Sequence, residues 1–268
     1  MSYIYEYSNI AGWWKLSSMG SMEISLCLSV GELVGRPNRF IFEGMVEGQS
    51  QRWHCPVTGK IGMVDNFQGM PCLFTPAANT EKRKTQGTVE AISLNHGKNW
   101  IGINQNRING WVESLLRQNA LSAMINTEGC SICHEIRVGE SRIDIMVDNG
   151  GTFTFLELKT PIHDLLLSSG DTFSRPSSES YFDRGLRHFK TLAKLAKEGH
   201  RAIVALCFMY DAVPFDPPKR DKWNAKIIDT IGEATANGVE TWQINLKISQ
   251  HSLAVSLCMR TFPVYSSG

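Results

Sequence analysis

The chain has 268 residues, 42% of them hydrophobic, a formal net charge of +1 and a mean hydropathy of −0.17. That length is long for one hydrophobic core and comfortable for two, and the near-neutral charge excludes a strongly basic, histone-like binder while leaving room for local phosphate-attracting patches. No apolar stretch reaches the roughly 20 residues of a membrane helix, Met1 to Leu16 lack the basic start and apolar core of a secretory signal, and seven scattered cysteines suit a reducing compartment. A cytoplasmic protein without membrane contact is expected.

Residues 1–22 are aromatic and Gly/Ser-rich without periodicity, and are read as an amino-terminal extension. From residue 23 to 104 short apolar runs alternate with turn signals: Arg39 to Val46, Lys60 to Val64, Cys72 to Phe74, Thr88 to Ile92 and Trp100 to Ile103. Five or six short strands punctuated by Gly, Pro and Asn predict a small β-barrel or sandwich. An oligonucleotide-binding (OB-like) barrel has this length and strand count, as do other small β folds. The loop Lys82-Arg83-Lys84, with Arg36 and Arg39 in the same unit, offers cations to a phosphate backbone.

The grammar changes over residues 105–265. Trp111, Leu115 and Leu116 recur at helical spacing; three strands follow at His134 to Val138, Arg142 to Val147 and Thr152 to Leu158, separated by Gly139-Glu140 and Asn149-Gly150-Gly151. A helix over Ser180 to Lys197 has an apolar face of Leu186, Phe189, Leu192, Ala193 and Ala196. The buried strand Arg201 to Phe208, a helix from Asn224 to Asn237 and the strand Val239 to Leu246 complete a layered α/β pattern.

Strand alternation puts Glu157 and Lys159 on one face, and Asp144, on the preceding strand of a tight meander, can reach the same side. Two converging carboxylates make a hard-oxygen site for Mg²⁺ or Mn²⁺. Such an ion would polarise a phosphoryl oxygen and help generate hydroxide near neutral pH, with Lys159 assisting the attacking water. A plain Glu157–Lys159 surface salt bridge is the competing reading. The apolar runs around both acids count against it, because ionised groups there need compensation.

Taken together, Arg36-Pro37-Asn38-Arg39-Phe40, His54-Cys55-Pro56 with Thr58-Gly59, Asn79 with Lys82-Arg83-Lys84, Ile101-Gly102-Ile103-Asn104, Asn109 with Glu113, Gly139 with Ser141-Arg142-Ile143-Asp144, Leu156-Glu157-Leu158-Lys159, Arg184-Gly185 with His188, and Glu198-Gly199-His200-Arg201-Ala202 form a co-linear series. That series resembles the sugar fermentation stimulation protein A family over most of the chain after Glu32.

The resemblance implies an OB-like barrel followed by a restriction-endonuclease-like, three-layer α/β domain with a mixed sheet and the PD-(D/E)xK arrangement, α+β overall. By position, Asp144, Glu157 and Lys159 match that motif, and Glu113 is similar to the extra acid that completes many such sites; Glu135 is the weaker candidate for that role. Val57 stands where the family usually has Asn, and Ser177-Ser178-Glu179-Ser180 replaces its usual Phe-Pro-Asp-Ala, which touches recognition more than chemistry.

The expected activity is a divalent-metal-dependent endonuclease, with Asp144, Glu157 and Glu113 as ligands and Lys159 beside them. Arg36, Arg39, Lys82, Arg83, Lys84, Arg142, Arg184 and His188 are the candidate nucleic-acid contacts, DNA being favoured over RNA and a homodimer allowed for. The rival is a DNA-binding regulator of sugar-metabolism genes that does not cleave. A paired-carboxylate carbohydrate enzyme would need neither the lysine nor the basic loops.

Overall fold

The computed structural model describes residues 23–57, 61, 66–78, 83–93, 95–160, 179–215 and 225–261, with the backbone alone at 179–185. The extension 1–22, Lys82, most of the expected strand 60–64, residues 177–178 and the Arg184 side chain lie outside what is described.

Five strands form a closed barrel: β2 (Ser29–Asn38), β3 (Ile41–Val46), β4 (Gln49–His54), β5 (Met70–Pro76) and β6 (Gly87–Ile92). Neighbours run β4-β3-β2-β5-β6, and a parallel β4–β6 pairing closes the ring; the short β7 (Ile101–Gly102) adds to β6. The turn Glu47-Gly48 has positive φ at both residues, which matches strand twist in a two-residue hairpin. The barrel core gathers Leu33, Phe42, Trp53, Phe74, Val89 and Ile92. Trp53 is fully buried and stacks on Phe74 at 4.6 Å. A side chain at position 44 would collide with the Trp53 ring, so Gly44 is fixed by packing. Neither β2 nor β4 was expected: Gly and Pro interrupt β2, and β4 is polar except for Trp53.

The second unit is a seven-stranded mixed sheet of order β1-β13-β12-β11-β10-β9-β8. Its members are β1 (Glu23–Ser25), β8 (Ser131–Val138), β9 (Ser141–Asn149), β10 (Thr152–Lys159), β11 (Arg201–Phe208), β12 (Glu240–Ile248) and β13 (Ser252–Thr261). β10, β11 and β12 are parallel, the arrangement that crossover helices permit. Those helices, α2 (Glu179–Lys197) and α3 (Ala225–Ala236), pack on one another over one face. Leu192 and Leu195 of α2 meet Phe155, Ala202 and Val204 of the sheet. Helix α1 (Ile108–Arg117) covers the other face, where Trp111, Leu115 and Leu116 meet Ile145, Leu156, Ile203 and Ile244. Each such buried aliphatic side chain contributes about 1.5–3 kcal/mol. No described helix is long and apolar enough to cross a membrane.

Two junction features differ from expectation. Strand β1, grouped with the barrel by its position, pairs antiparallel with β13 at the edge of the large sheet. Phe208 and Tyr210, at and just past the end of β11, are buried in the barrel core, and the Gly102 N–H donates to the Met209 carbonyl at 2.8 Å. The barrel is therefore docked at the end of the sheet where β10 and β11 finish.

Candidate active site

The turn Asn149-Gly150-Gly151-Thr152 has positive φ at both glycines and sets the register of β9 on β10, from Thr152↔Asn149 to Leu156↔Ile145. Past Ile145 the strands part. The next inward donor on β10, the Leu158 N–H, is accepted by Asp144 Oδ2 at 2.7 Å, so a carboxylate stands where a ladder carbonyl would. Asp144 Oδ1 accepts from Asn109 Nδ2 at 3.0 Å. Burial, and then the negative charge of Glu157, push the Asp144 carboxyl above its ordinary range against the lowering effect of these donors and Lys159.

Glu157 is 2% exposed. Its Oε1 accepts from Lys159 Nζ at 2.5 Å and from His188 Nδ1, which lies 3.4 Å from the same ammonium. A carboxylate oxygen can only accept, so Nδ1 carries the proton it shares with Glu157. Burial pushes the Glu157 carboxyl up, but the His188 bond and the charge and bond of Lys159 outweigh it, and the group ends below its ordinary value. Its second oxygen, Oε2, is buried with no hydrogen-bond partner among the described residues. The strands thus bring Asp144, Glu157 and Lys159 to one place at the sheet fork, close enough for Asp144 to feel the charges of Glu157 and Lys159.

Glu113 does not join them. Its Oε1 pairs with Arg117 at 2.7 Å and its Oε2 faces His134 at 3.6 Å, because a residue one turn into α1 points toward the β8 edge. Among the described residues no group of three or more His, Cys, Asp and Glu is arranged to hold a metal ion. His188, expected at the nucleic acid, is 9% exposed and bound to Glu157; α2 seats it against the sheet.

The remaining basic candidates differ in freedom. Arg142 is paired with Glu135 at 3.3 Å, both exposed. The Arg36 guanidinium bonds the carbonyls of Arg39 and Val57 and lies 5.7 Å from the Phe42 ring centre, which makes it a brace of the barrel. Arg39 is exposed over Phe40, and Arg83 and Lys84 are exposed on the β5–β6 loop.

Two functional positions were unassigned in the sequence. Asn109 holds Asp144, and Gln105 Nε2 donates at 2.9 Å to the carbonyl of Thr160, the residue after Lys159. The available signal was spacing: Gln105, Asn109 and Glu113 recur every four residues into and along α1.

Residues 106–252 match the family model described as the sugar fermentation stimulation protein RE domain, and residues 34–103 match its N-terminal OB domain. A sugar fermentation stimulation protein homolog of Pseudoalteromonas atlantica is 30% identical over 72% of this chain and 79% of its own length. One from Alcanivorax borkumensis is 29% identical over 78% and 86%. Among solved structures, that of Pyrococcus furiosus SfsA in complex with Ca²⁺ superposes with a TM-score of 0.66 and 26% identity, covering 90% of this chain and 98% of the other. On the strength of a domain match spanning more than half its length, the chain belongs to the sugar fermentation stimulation protein family.

Proposed function

We propose that this protein binds DNA through its barrel and cleaves the phosphodiester backbone at Asp144, Glu157 and Lys159, in the manner of PD-(D/E)xK nucleases, with Mg²⁺ or Mn²⁺. The observation that carries this reading is the buried Oε2 of Glu157, which has no hydrogen-bond partner among the described residues. A buried acceptor left unpaired costs about 1–3 kcal/mol, more when charged, and a hard divalent cation would relieve it. Asp144 fits the same demand: its ionised form is disfavoured by burial and by Glu157, and a cation shared by the two would reverse both effects. The superposable archaeal relative was solved with Ca²⁺, another oxygen-seeking ion.

When bound, the cation would polarise the scissile phosphoryl group and ease deprotonation of water. The chain's own residues do the rest. His188 and Lys159 hold Glu157 through Oε1 and leave Oε2 for the ligand role, while Asn109 and the Leu158 N–H hold Asp144 from two sides. The Lys159 side chain is 28% exposed, so its ammonium can serve Glu157 and still meet water or a phosphoryl oxygen as charge develops. Arg39, Arg83 and Lys84 of the barrel and the exposed stripe Arg187, Lys190, Lys194 and Lys197 on α2 supply cations for the DNA backbone.

A second reading, a DNA-binding regulator that does not cleave, is favoured by one observation: Glu113 is committed to Arg117. Incubation of plasmid, linear and single-stranded DNA with Mg²⁺ or Mn²⁺ separates the two. The expected result is metal-dependent cleavage that Lys159→Ala lowers by about 10²–10³-fold, with DNA affinity in chelator unchanged. Cleavage absent under both metals would establish the regulator, and cleavage surviving Lys159→Ala would overturn the assignment of the activity to this site.

A further inference from the structure

The β8–β9 hairpin changes faces at a single rung. Near the body of the sheet, Ile132 of β8 and Ile145 and Val147 of β9 pack in the core beneath α1. Further out, Ile136 and Val138 of β8 and Ile143 of β9 belong to the core beneath α2, and the Ser141 hydroxyl bonds that of Thr191 at 2.7 Å. Ile132 and Ile136 are four residues apart, and Ile143 and Ile145 two apart. Regular alternation would keep each pair on one side of the sheet. The ribbon therefore rolls over between them.

The rung where it rolls is Glu135 opposite Asp144. His134↔Ile145 and Ile136↔Ile143 are paired on either side, and the ladder skips the two residues between. Glu135 has φ +53, inside a strand and without being glycine. Residues with a Cβ rarely take this left-handed conformation, and such strain persists only where the surroundings enforce it. The side chain is not what enforces it: Glu135 is exposed, and its one described partner is the exposed Arg142.

We propose that Glu135 is a positioning residue for Asp144, acting through its backbone rather than its carboxylate. Its left-handed turn rolls the outer hairpin toward α2, so β9 leaves β10 immediately after Ile145. That parting strands the Leu158 N–H, and the Asp144 carboxylate takes it up, which aims the acid into the site. A flat β8 would carry the ladder on past Ile145 and give the Leu158 N–H a backbone carbonyl instead.

Four variants test this in the metal-free full-length protein, read by hydrogen exchange at the Leu158 amide and then by Mn²⁺ titration calorimetry. Glu135→Gly and Glu135→Asn, which accept positive φ, and Glu135→Gln, which removes only the charge, should match wild type in both readouts. Glu135→Val, β-branched and ill-suited to that φ, should speed exchange at Leu158 by about tenfold or more and weaken Mn²⁺ binding similarly, with barrel amide shifts unchanged. Should the valine variant not fold, Glu135→Thr carries the same restriction with a polar side chain at this exposed position. Unchanged Leu158 exchange in the β-branched variant would overturn the proposal. So would loss of Mn²⁺ binding in the glycine and glutamine variants, which would make the carboxylate itself a ligand. Only the Mn²⁺ arm rests on the function proposed above: a wild type that binds no Mn²⁺ refutes that function, while the Leu158 exchange still decides the role of Glu135.

Discussion

Each half of the molecule buries a glutamate to 2% exposure, and the two are treated in opposite ways. Glu90, on β6 of the barrel, has both oxygens occupied: Oε1 accepts from the Thr75 hydroxyl at 2.7 Å and Oε2 from Asn104 Nδ2 at 2.8 Å, with Arg107 at 3.9 Å as countercharge. Its backbone carbonyl also receives the N–H groups of Ile103 and Asn104, so one residue ties the barrel to the segment that leads into α1. Glu157 has two cationic or protonated partners crowded on one oxygen and none described on the other. A carboxylate whose lone pairs are spread over neutral donors belongs to the scaffold. One with an unanswered buried oxygen is arranged for something the chain does not itself supply.

Exchanging the two acids should separate those roles. Glu157→Gln is expected to lower cleavage by about 10²-fold or more and to abolish calorimetric Mn²⁺ binding, since an amide gives the cation one neutral oxygen in place of a carboxylate. Glu90→Ala should leave the Mn²⁺ isotherm unchanged and lower unfolding free energy by about 2–3 kcal/mol, because Asn104 Nδ2 is left buried without an acceptor. Urea denaturation of both variants beside the isotherms reads the comparison directly. A Glu90 variant that loses the ion, or a Glu157 variant that keeps it, reverses the assignment.

Asn109→Ala sharpens the comparison at a smaller scale. Asn109 touches only one oxygen of Asp144, whose other oxygen stays on the Leu158 N–H, so the acid is loosened and not lost. Outer partners of metal ligands typically contribute 10–100-fold in affinity or activity, and about tenfold weaker Mn²⁺ binding is expected here, with stability little changed. Wild-type affinity in this variant would show that the backbone donor alone holds Asp144.

The sequence was most legible where one physical pattern acted alone. The apolar run Arg201 to Phe208 is β11 to the residue, and the Asn149-Gly150-Gly151 turn fixes the register that brings Asp144 toward Glu157. The OB-like barrel and the layered α/β fold were legible from strand spacing and the family motifs together. Legibility failed where long-range packing overrode local pattern. β4 has one buried side chain, and its pairing with β3 and closure on β6 make it a barrel strand. β1 precedes the barrel in sequence yet joins the far sheet through β13. His188 reads as an exposed helix base until α2 lays it on Glu157. The face change at Glu135 has no sequence signature, because glutamate is not a residue that announces left-handed backbone.

The smallest expected effect concerns a third carboxylate, Glu240, which serves as the control for both glutamates. It sits on β12 beside Arg201 at the start of β11, away from the end of β10 that bears Lys159. Arg201 grips it with two bonds, Nε to Oε1 at 2.7 Å and Nη2 to Oε2 at 2.9 Å, and Trp242 Nε1 adds a third at 2.8 Å. Burial pushes its carboxyl up, but the bonds from Arg201 and Trp242 and the charges of Arg201 and Arg260 outweigh that, and the folded protein holds it below the ordinary glutamate value. A depressed folded value means the unfolded chain binds the proton first, so the stabilisation is fully present above the unfolded pKa of about 4.3 and is lost as pH falls through the folded one. Glu240→Gln should therefore cost about 1 kcal/mol at neutral pH, a figure reduced for the partial exposure of Arg201. The gap from wild type should close in acid, below both values. Metal binding and cleavage should not move at any pH where the fold persists. Chemical denaturation of the pair between neutrality and the acid limit checks the sign: a gap that widens on acidification would mean Glu240 is held protonated, like the unfavourable member of a crowded pair, and not gripped as an anion.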